Sequence, residues 1–124
     1  MSDTLTFLET FPDTAVHSTP NAEMRRYRGD TVAVWRTTMQ PGSAGPVHTV
    51  DREQVIVVLS GELTATVRDQ TVLAGPGDAL LLPAGVVRQL RNEGSGPTVT
   101  LTSAVPGGRA QVGDNDAVIV PWSA

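Results

Sequence analysis

The 124-residue chain contains no cysteine and no lysine, and it has only two histidines and few aromatic residues. Without cysteine it can form neither disulfides nor thiolate metal sites, and it has no cysteine nucleophile. None of its apolar runs approaches the roughly eighteen residues that cross a bilayer. Its first residues show neither a basic segment nor a long apolar one, so they do not predict a leader peptide. We therefore expect a cytoplasmic protein with no membrane partner.

Charge narrows the possible partners further. All nine basic residues are arginines, and thirteen acidic residues outnumber them, which leaves a net charge of −4. An acidic chain repels phosphate backbones, so nucleic acid is not an expected partner. The GxSxG, phosphate-loop and GxGxxG motifs are also absent from the sequence, and we expect a small-molecule ligand of another kind.

Glycine and proline, by contrast, are abundant, with twelve and nine copies. They separate short β-branched or alternating segments at intervals of roughly ten residues, and no helical period is sustained. This rhythm is typical of an all-β sandwich or barrel. The predicted strands are 31–38, 54–59, 63–67, 78–82, 87–91 and 98–104, with a short edge strand at 24–28 and a last strand at 117–120.

The chain has the length of one domain and shows neither repeat nor linker, so residues 1–124 are interpreted as a single domain. We expect an N-terminal arm at 1–30, in which residues 5–11 could form one helical turn. A barrel core at 31–106 and a C-terminal tail strand at 107–124 would follow.

Two motifs spaced by glycine and proline lie between residues 41 and 92. The first consists of Gly42, His48, Val50, Gln54 and Gly61, and the second of Gly77, Asp78, Pro83, Gly85, Arg88 and Asn92. Their order and spacing resemble the two signature motifs of the cupin family. The resemblance implies an all-β fold, the small jelly-roll-like barrel, or double-stranded β-helix, of a single cupin domain.

Cupins that bind a metal hold it with two histidines and a glutamate of the first motif and one histidine of the second. The corresponding positions here are His48, Val50, Gln54 and Arg88. One strong ligand is left, and arginine places a fixed cation where the metal would sit. The degenerate motif therefore predicts that no metal cofactor is bound.

Alternation along an extended strand directs residues 48, 50 and 54 to one face and Glu53 to the other. A β-bulge could turn Glu53 inward, so His48, Gln54 and Glu53 form a fallback metal set, to which Asp51 could also contribute.

The resemblance predicts three catalytic residues in a metal-free pocket. His48 could move a proton near neutral pH, and Arg88 could stabilise a carboxylate, an enolate or a polarised carbonyl. Gln54 can both donate and accept hydrogen bonds, which suits orientation of the substrate. The predicted substrate pocket is lined by Val50, Ile56 and Leu90, together with either Trp35 or Arg36.

A purely structural interpretation stays open at this point. Arg88 could pair with Glu53 or Asp51, which would leave no cation for a ligand, because a buried arginine normally has a carboxylate partner. His48 could be an ordinary hydrogen-bonded residue, and Gln54 could have no function.

The leading functional hypothesis is a metal-independent cyclase or isomerase of bacterial specialised, polyketide-type metabolism. A metal-dependent cupin oxygenase or isomerase is one alternative, and a non-catalytic ligand-binding or sensor protein is another. In each case we expect a homodimer, for which the apolar segment 117–122 is a candidate contact.

Overall fold

The computed structural model describes residues 15–124, and over this range the chain is built almost wholly of short antiparallel strands. They are β1 (Val16–Ser18), β2 (Ala22–Arg28), β3 (Ala33–Met39), β4 (Thr49–Val50), β5 (Gln54–Ser60), β6 (Leu63–Val67), β7 (Gln70–Ala74), β8 (Ala79–Leu82), β9 (Arg88–Arg91), β10 (Thr98–Ala104), β11 (Arg109–Gln111) and β12 (Val118–Ile119). A single 3-10 turn, η1 (Pro121–Ser123), follows β12. The all-β expectation is confirmed.

The strands form two walls. One wall is a six-stranded sheet in the order β1-β2-β3-β10-β5-β8. The other consists of two three-stranded sheets, β7-β6-β9 and β12-β11-β4. Residues 44–48 connect these two sheets, because isolated bridges pair Ala44 with Arg91 and His48 with Arg88.

Side-chain alternation determines which residues face the space between the walls. In β5, Gln54, Ile56 and Val58 are buried, whereas Val55 and Leu59 are exposed. The adjacent strand β10 buries the threonines at 98, 100 and 102 in the same way. This period of two is the pattern expected of a sheet with one buried face.

Two apolar clusters lie between the walls. The larger contains Met39, Ile56, Val58, Leu63, Ala74 and Leu82. The smaller contains Met24, Ala33 and Trp35, and Trp122 of η1 packs against it. The C-terminal segment thus covers part of its own barrel.

The predicted tail strand at 117–120 is found at Val118–Ile119, where it pairs with β11. Val120 is buried, and Arg26 donates a hydrogen bond from Nη2 to the main-chain oxygen of Ala124 at 2.8 Å. Within the segment expected to contact a second subunit, Val120 and Trp122 pack against the chain itself, whereas Val118 and Ile119 stay exposed. The homodimer itself stays a prediction.

Several strands coincide with the sequence prediction, and others depart from it. The predicted strands 63–67 and 98–104 match β6 and β10 residue for residue. The predicted edge strand at 24–28 is wrong in its position, because β2 lies between β1 and β3 and the edge is β1. The helical turn at 5–11 lies outside the described residues.

Strand β7 (Gln70–Ala74) was not predicted because its hairpin lacks the usual sequence signal. The turn between β6 and β7 has Arg68 and Asp69 at its centre, and Arg68 adopts a φ of 56°. Hairpin turns of this kind ordinarily carry asparagine or glycine at such a position.

Among residues 15–124, no helix is long and apolar enough to cross a membrane.

Two motif glycines provide a test of the fold. Both Gly61 and Gly85 adopt positive φ, at 76° and 79°. A Cβ at position 61 would collide with the main-chain oxygen of Pro97 and lie 2.9 Å from Thr98 Cα, whereas a Cβ at position 85 would meet nothing within 4 Å.

We expect Gly85→Ala to lower the free energy of unfolding by about 1–2 kcal/mol, the usual cost of a left-handed non-glycine residue. Gly61→Ala should cost about 2 kcal/mol more, because its Cβ also displaces a neighbouring strand. Urea denaturation followed by circular dichroism measures both values. Equal destabilisation by the two variants would contradict the close approach at Gly61.

Candidate small-molecule site

A cavity of about 430 Å³ lies between the two walls. This volume is within the range of about 300–1,000 Å³ that small-molecule sites occupy. Its lining is mostly apolar and includes members of both core clusters, among them Met24, Trp35, Met39, Ile56 and Leu63. The lining also contains a group of three polar side chains, those of His48, Gln54 and Arg88.

His48 and Arg88 are adjacent because their main chains pair directly. His48 N donates to Arg88 O at 3.0 Å, and Arg88 N donates to His48 O at 2.9 Å. Such a hydrogen-bonded antiparallel pair directs both side chains to the same face of the sheet. The bridge between His48 and Arg88 therefore joins the two smaller sheets, and it also brings the first motif next to the second.

The side chain of Arg88 then reaches across the barrel. Its Nε donates to His48 Nε2 at 3.2 Å, and its Nη2 donates to Gln54 Oε1 at 2.8 Å. Gln54 belongs to β5 of the opposite wall. The structure therefore brings the three predicted catalytic residues into one hydrogen-bonded cluster.

The hydrogen bonds of His48 define its tautomer. Nδ1 lies 2.8 Å from Pro46 O, a pure acceptor, so Nδ1 carries the proton. Nε2 accepts the hydrogen bond from Arg88, so the ring is neutral. Burial lowers the pKa of His48 below its ordinary value of 6.5; the bond to Pro46 opposes this shift, and the Arg88 cation adds to it. Near neutral pH, His48 is a proton acceptor.

Arg88 is a buried cation without an acidic partner among residues 15–124. It is 4% exposed, and burial lowers its pKa to about 10, which leaves it charged at neutral pH. Asp51 and Glu93 form ion pairs with other arginines, Arg52 and Arg91. The open alternative in which Asp51 or Glu53 neutralises Arg88 is therefore wrong: Asp51 instead accepts from the main-chain N of Arg109 at 2.7 Å.

The structure also locates the predicted pocket residues. Val50, Ile56, Leu90 and Trp35 all line the cavity. Arg36, the alternative to Trp35, is exposed on the other face of β3. Parity along the strand determines this difference, because neighbouring residues point to opposite faces.

Part of the lining was not predicted from the sequence. Val112, which follows β11, and Val118 and Ile119 of β12 line the cavity although they are 42%, 62% and 51% exposed. They form an apolar rim, a name we keep for these three residues. Val118 and Ile119 belong to the apolar tail that is visible in the sequence, whereas Val112 does not, and the pairing of β11 with β4 and β12 was not predicted.

The donor set does not fit a divalent metal ion. Both donors at the motif positions, His48 Nε2 and Gln54 Oε1, already accept hydrogen bonds from Arg88. Glu53, the fallback ligand, is exposed and does not line the cavity. Among residues 15–124 no group of three histidine, cysteine or acidic residues could hold a metal. A metal here would also be repelled by the Arg88 cation.

Comparison with known families agrees with the geometry. Residues 35–105 match the cupin domain family, which is more than half of the chain, and the chain therefore belongs to this family. No curated protein matches the sequence.

Solved cupin structures match most of the chain at low sequence identity. A cupin-2 domain from Rhodospirillum rubrum matches with a TM-score of 0.76 at 13% identity, over 87% of this chain and 80% of that one. The polyketide cyclase RemF from Streptomyces resistomycificus matches with a TM-score of 0.70 at 18% identity, over 80% of each chain. A sugar phosphate isomerase of the cupin superfamily from Silicibacter pomeroyi matches with a TM-score of 0.68 at 19% identity, over 83% and 77%. These similarities confirm the jelly-roll fold.

The lowered pKa of His48 makes stability depend on pH. The unfolded chain, in which this pKa is near 6.5, binds more protons than the folded chain just below that pH. The free energy of unfolding should therefore decrease as the pH falls from about 7.5 to about 5.5. Urea denaturation at the two pH values measures the decrease.

His48→Gln is the matched control, because glutamine keeps an acceptor in the cluster and does not titrate. We expect its pH dependence over this interval to be clearly smaller than that of the wild type. An identical dependence in both proteins would show that His48 is not the group responsible.

Proposed function

We propose that this protein is a metal-independent cyclase or isomerase that acts on a small, apolar carbonyl compound, with polyketide-type chemistry as the leading case. The observation that carries the proposal is the bonding of neutral His48 to the buried Arg88 cation inside an apolar cavity. A proton acceptor beside a fixed positive charge is the arrangement that enolisation of a carbonyl compound requires.

In the proposed first step, the substrate carbonyl oxygen accepts a hydrogen bond from Arg88. The 3.2 Å bond from Arg88 Nε to His48 Nε2 is the longer of the two described for the Arg88 side chain, and it opens to free the nitrogen lone pair. His48 Nε2 then takes a proton from the carbon next to the carbonyl. The C–H electron pair forms the enolate, whose negative oxygen stays on Arg88.

The second step determines the class of reaction. In a cyclase, the enolate carbon forms a bond to a second carbonyl carbon of the same chain, and His48 Nε2–H returns its proton to the new alkoxide. In an isomerase, the proton returns to a different carbon. Atoms and charge balance in both cases without a redox partner. The apolar walls fold the substrate and exclude water from the enolate.

Gln54 and the main chain hold this machinery in place. Gln54 is 5% exposed, and its Oε1 fixes the Arg88 fork from the opposite wall at 2.8 Å. Pro46 O fixes the His48 ring, so that Nε2 rather than Nδ1 faces Arg88. The chemistry of RemF, a polyketide cyclase, and of the sugar phosphate isomerase from Silicibacter pomeroyi gives two precedents on the same fold.

A non-catalytic binding protein is the second candidate, and one observation favours it. The Nε2 lone pair of His48 is already engaged by Arg88, so the cluster is satisfied without substrate. If that bond does not open, the site binds a ligand and moves no proton.

Deuterium exchange distinguishes the two candidates. We expect the wild type to accelerate exchange at the α-carbon of benzylacetone in deuterium oxide, as followed by proton NMR. His48→Gln should reduce the enzyme-dependent rate about 100-fold, because the proton acceptor is lost. Arg88→Met should reduce it by a similar factor, because the enolate loses its stabilising cation.

Arg36→Met is the matched control for charge, since Arg36 is exposed on the outer face of β3. This variant should accelerate deuterium exchange in benzylacetone as much as the wild type does. Binding of benzylacetone without accelerated exchange would reject the catalytic proposal in favour of the binding protein.

Metal independence has its own measurement. Protein purified without chelator should contain well under one equivalent of iron, zinc, manganese or nickel by elemental analysis. Exchange activity should also survive dialysis against a chelator. Stoichiometric metal that disappears in His48→Gln would establish the metal-dependent alternative instead.

A further inference from the structure

The cavity has a one-sided charge. Arg88 is the one permanently charged side chain in the lining formed by residues 15–124, and that lining contains neither aspartate nor glutamate. Asp51 and Glu53, the acidic residues nearest in the sequence to Gln54, are both exposed. A buried cation without a counter-charge is unfavourable. An anion that reached Arg88 would therefore be attracted to it more strongly than to an arginine in water.

Arg88 also keeps unused hydrogen-bond donors. A guanidinium has five N–H groups, and two of those of Arg88 are bonded to His48 and Gln54. The rest are on Nη1 and Nη2, and Nη1 makes no hydrogen bond within residues 15–124. The one fully buried side-chain atom without a partner in this range is His17 Nε2, so Arg88 Nη1 is not sealed off from the cavity.

We infer that the cavity selects an apolar ligand that carries a planar two-oxygen anion, held end-on by Nη1 and Nη2 of Arg88. Such an anion is a carboxylate or the enolate of a dicarbonyl compound, both of which match the planar fork of arginine. The inference rests on the proposed site and names its substrate class. A bound enolate is the intermediate of the proposed reaction, formed when His48 takes the proton, whereas a carboxylate occupies Arg88 without being enolised there.

The apolar rim indicates where the rest of the ligand lies. Val112, Val118 and Ile119 line the cavity while remaining partly exposed, so they can cover apolar atoms that reach its mouth. Other parts of the lining are also apolar and include Ile56 and Leu63. A ligand with a second charge would have no partner in this space.

The test compares two probes that differ in charge and hardly in shape, phenylbutyrate and its neutral amide, phenylbutyramide. Isothermal titration calorimetry should show that the wild type binds the carboxylate about tenfold more tightly or better. The same preference is expected for Arg36→Met. In Arg88→Met the preference should disappear, and in Arg88→Lys it should be reduced, because lysine keeps the charge and loses the fork.

A rim variant separates the charge from the apolar body of the ligand. Ile119→Ser should weaken binding of both probes about fivefold, because apolar contact area is lost, and should leave their ratio unchanged. Val72→Ser is the matched control on β7, since Val72 is exposed and does not line the cavity.

A second experiment distinguishes the two kinds of anion by comparing benzoylacetone with phenylbutyrate. Stronger binding of the benzoylacetone anion assigns the site to enolates, and stronger binding of phenylbutyrate assigns it to carboxylates.

Equal affinity for phenylbutyrate and its amide in the wild type would overturn the inference, as would the absence of any binding of phenylbutyrate. A charge preference that persists in folded Arg88→Met would also overturn it. These readouts do not depend on turnover. A preserved charge preference with no deuterium exchange would reject the catalytic proposal while retaining the ligand class.

Discussion

The buried guanidinium of Arg88 is the interaction on which the site depends. It lies where the two motifs meet, bonded to His48 beside it and to Gln54 on the opposite wall. Because the guanidinium is planar and charged, it constrains both partners in direction as well as distance. Burial of this charge is unfavourable by itself, and the ligand class that we infer would supply the missing negative charge.

In the proposed function, the same arginine takes the place of the metal in the cupins that bind one and keeps a polar centre in the barrel. Metal-binding relatives place a cation between converging ligands from the two motifs. Here the cation belongs to the protein, and the remaining donors, His48 Nε2 and Gln54 Oε1, turn towards it. A fixed guanidinium can stabilise an oxygen anion as a metal does, but it cannot change its coordination or its oxidation state. The proposed chemistry is accordingly the movement of protons beside a stabilised negative oxygen.

Much of the fold could be predicted from local patterns in the sequence, and the strands that were missed are those that lack such a pattern. Strands β6 and β10 were predicted at their observed bounds, because β-branched residues and flanking glycine or proline are local signals. Strand β7 was missed because its turn uses Arg68 and Asp69 in place of glycine or asparagine. The very short strands β1, β4 and β11 were missed because two or three residues are too few to show an alternating pattern, and only the hydrogen bonds to neighbouring strands identify them. The inward direction of Gln54 and the outward direction of Glu53 followed from parity alone.

The sequence by itself determined the fold class, the position of the two motifs and the identity of the three polar residues, since these follow from spacing and residue chemistry. In the sequence, Arg88 lies 40 positions from His48 and 34 from Gln54. Only the tertiary structure decided that Arg88 bonds to His48 across a strand bridge and to Gln54 across the barrel, and that it has no acidic partner among residues 15–124. It also decided that the C-terminal segment contributes the apolar rim. Such long-range contacts depend on register between strands, and a local pattern does not contain that information.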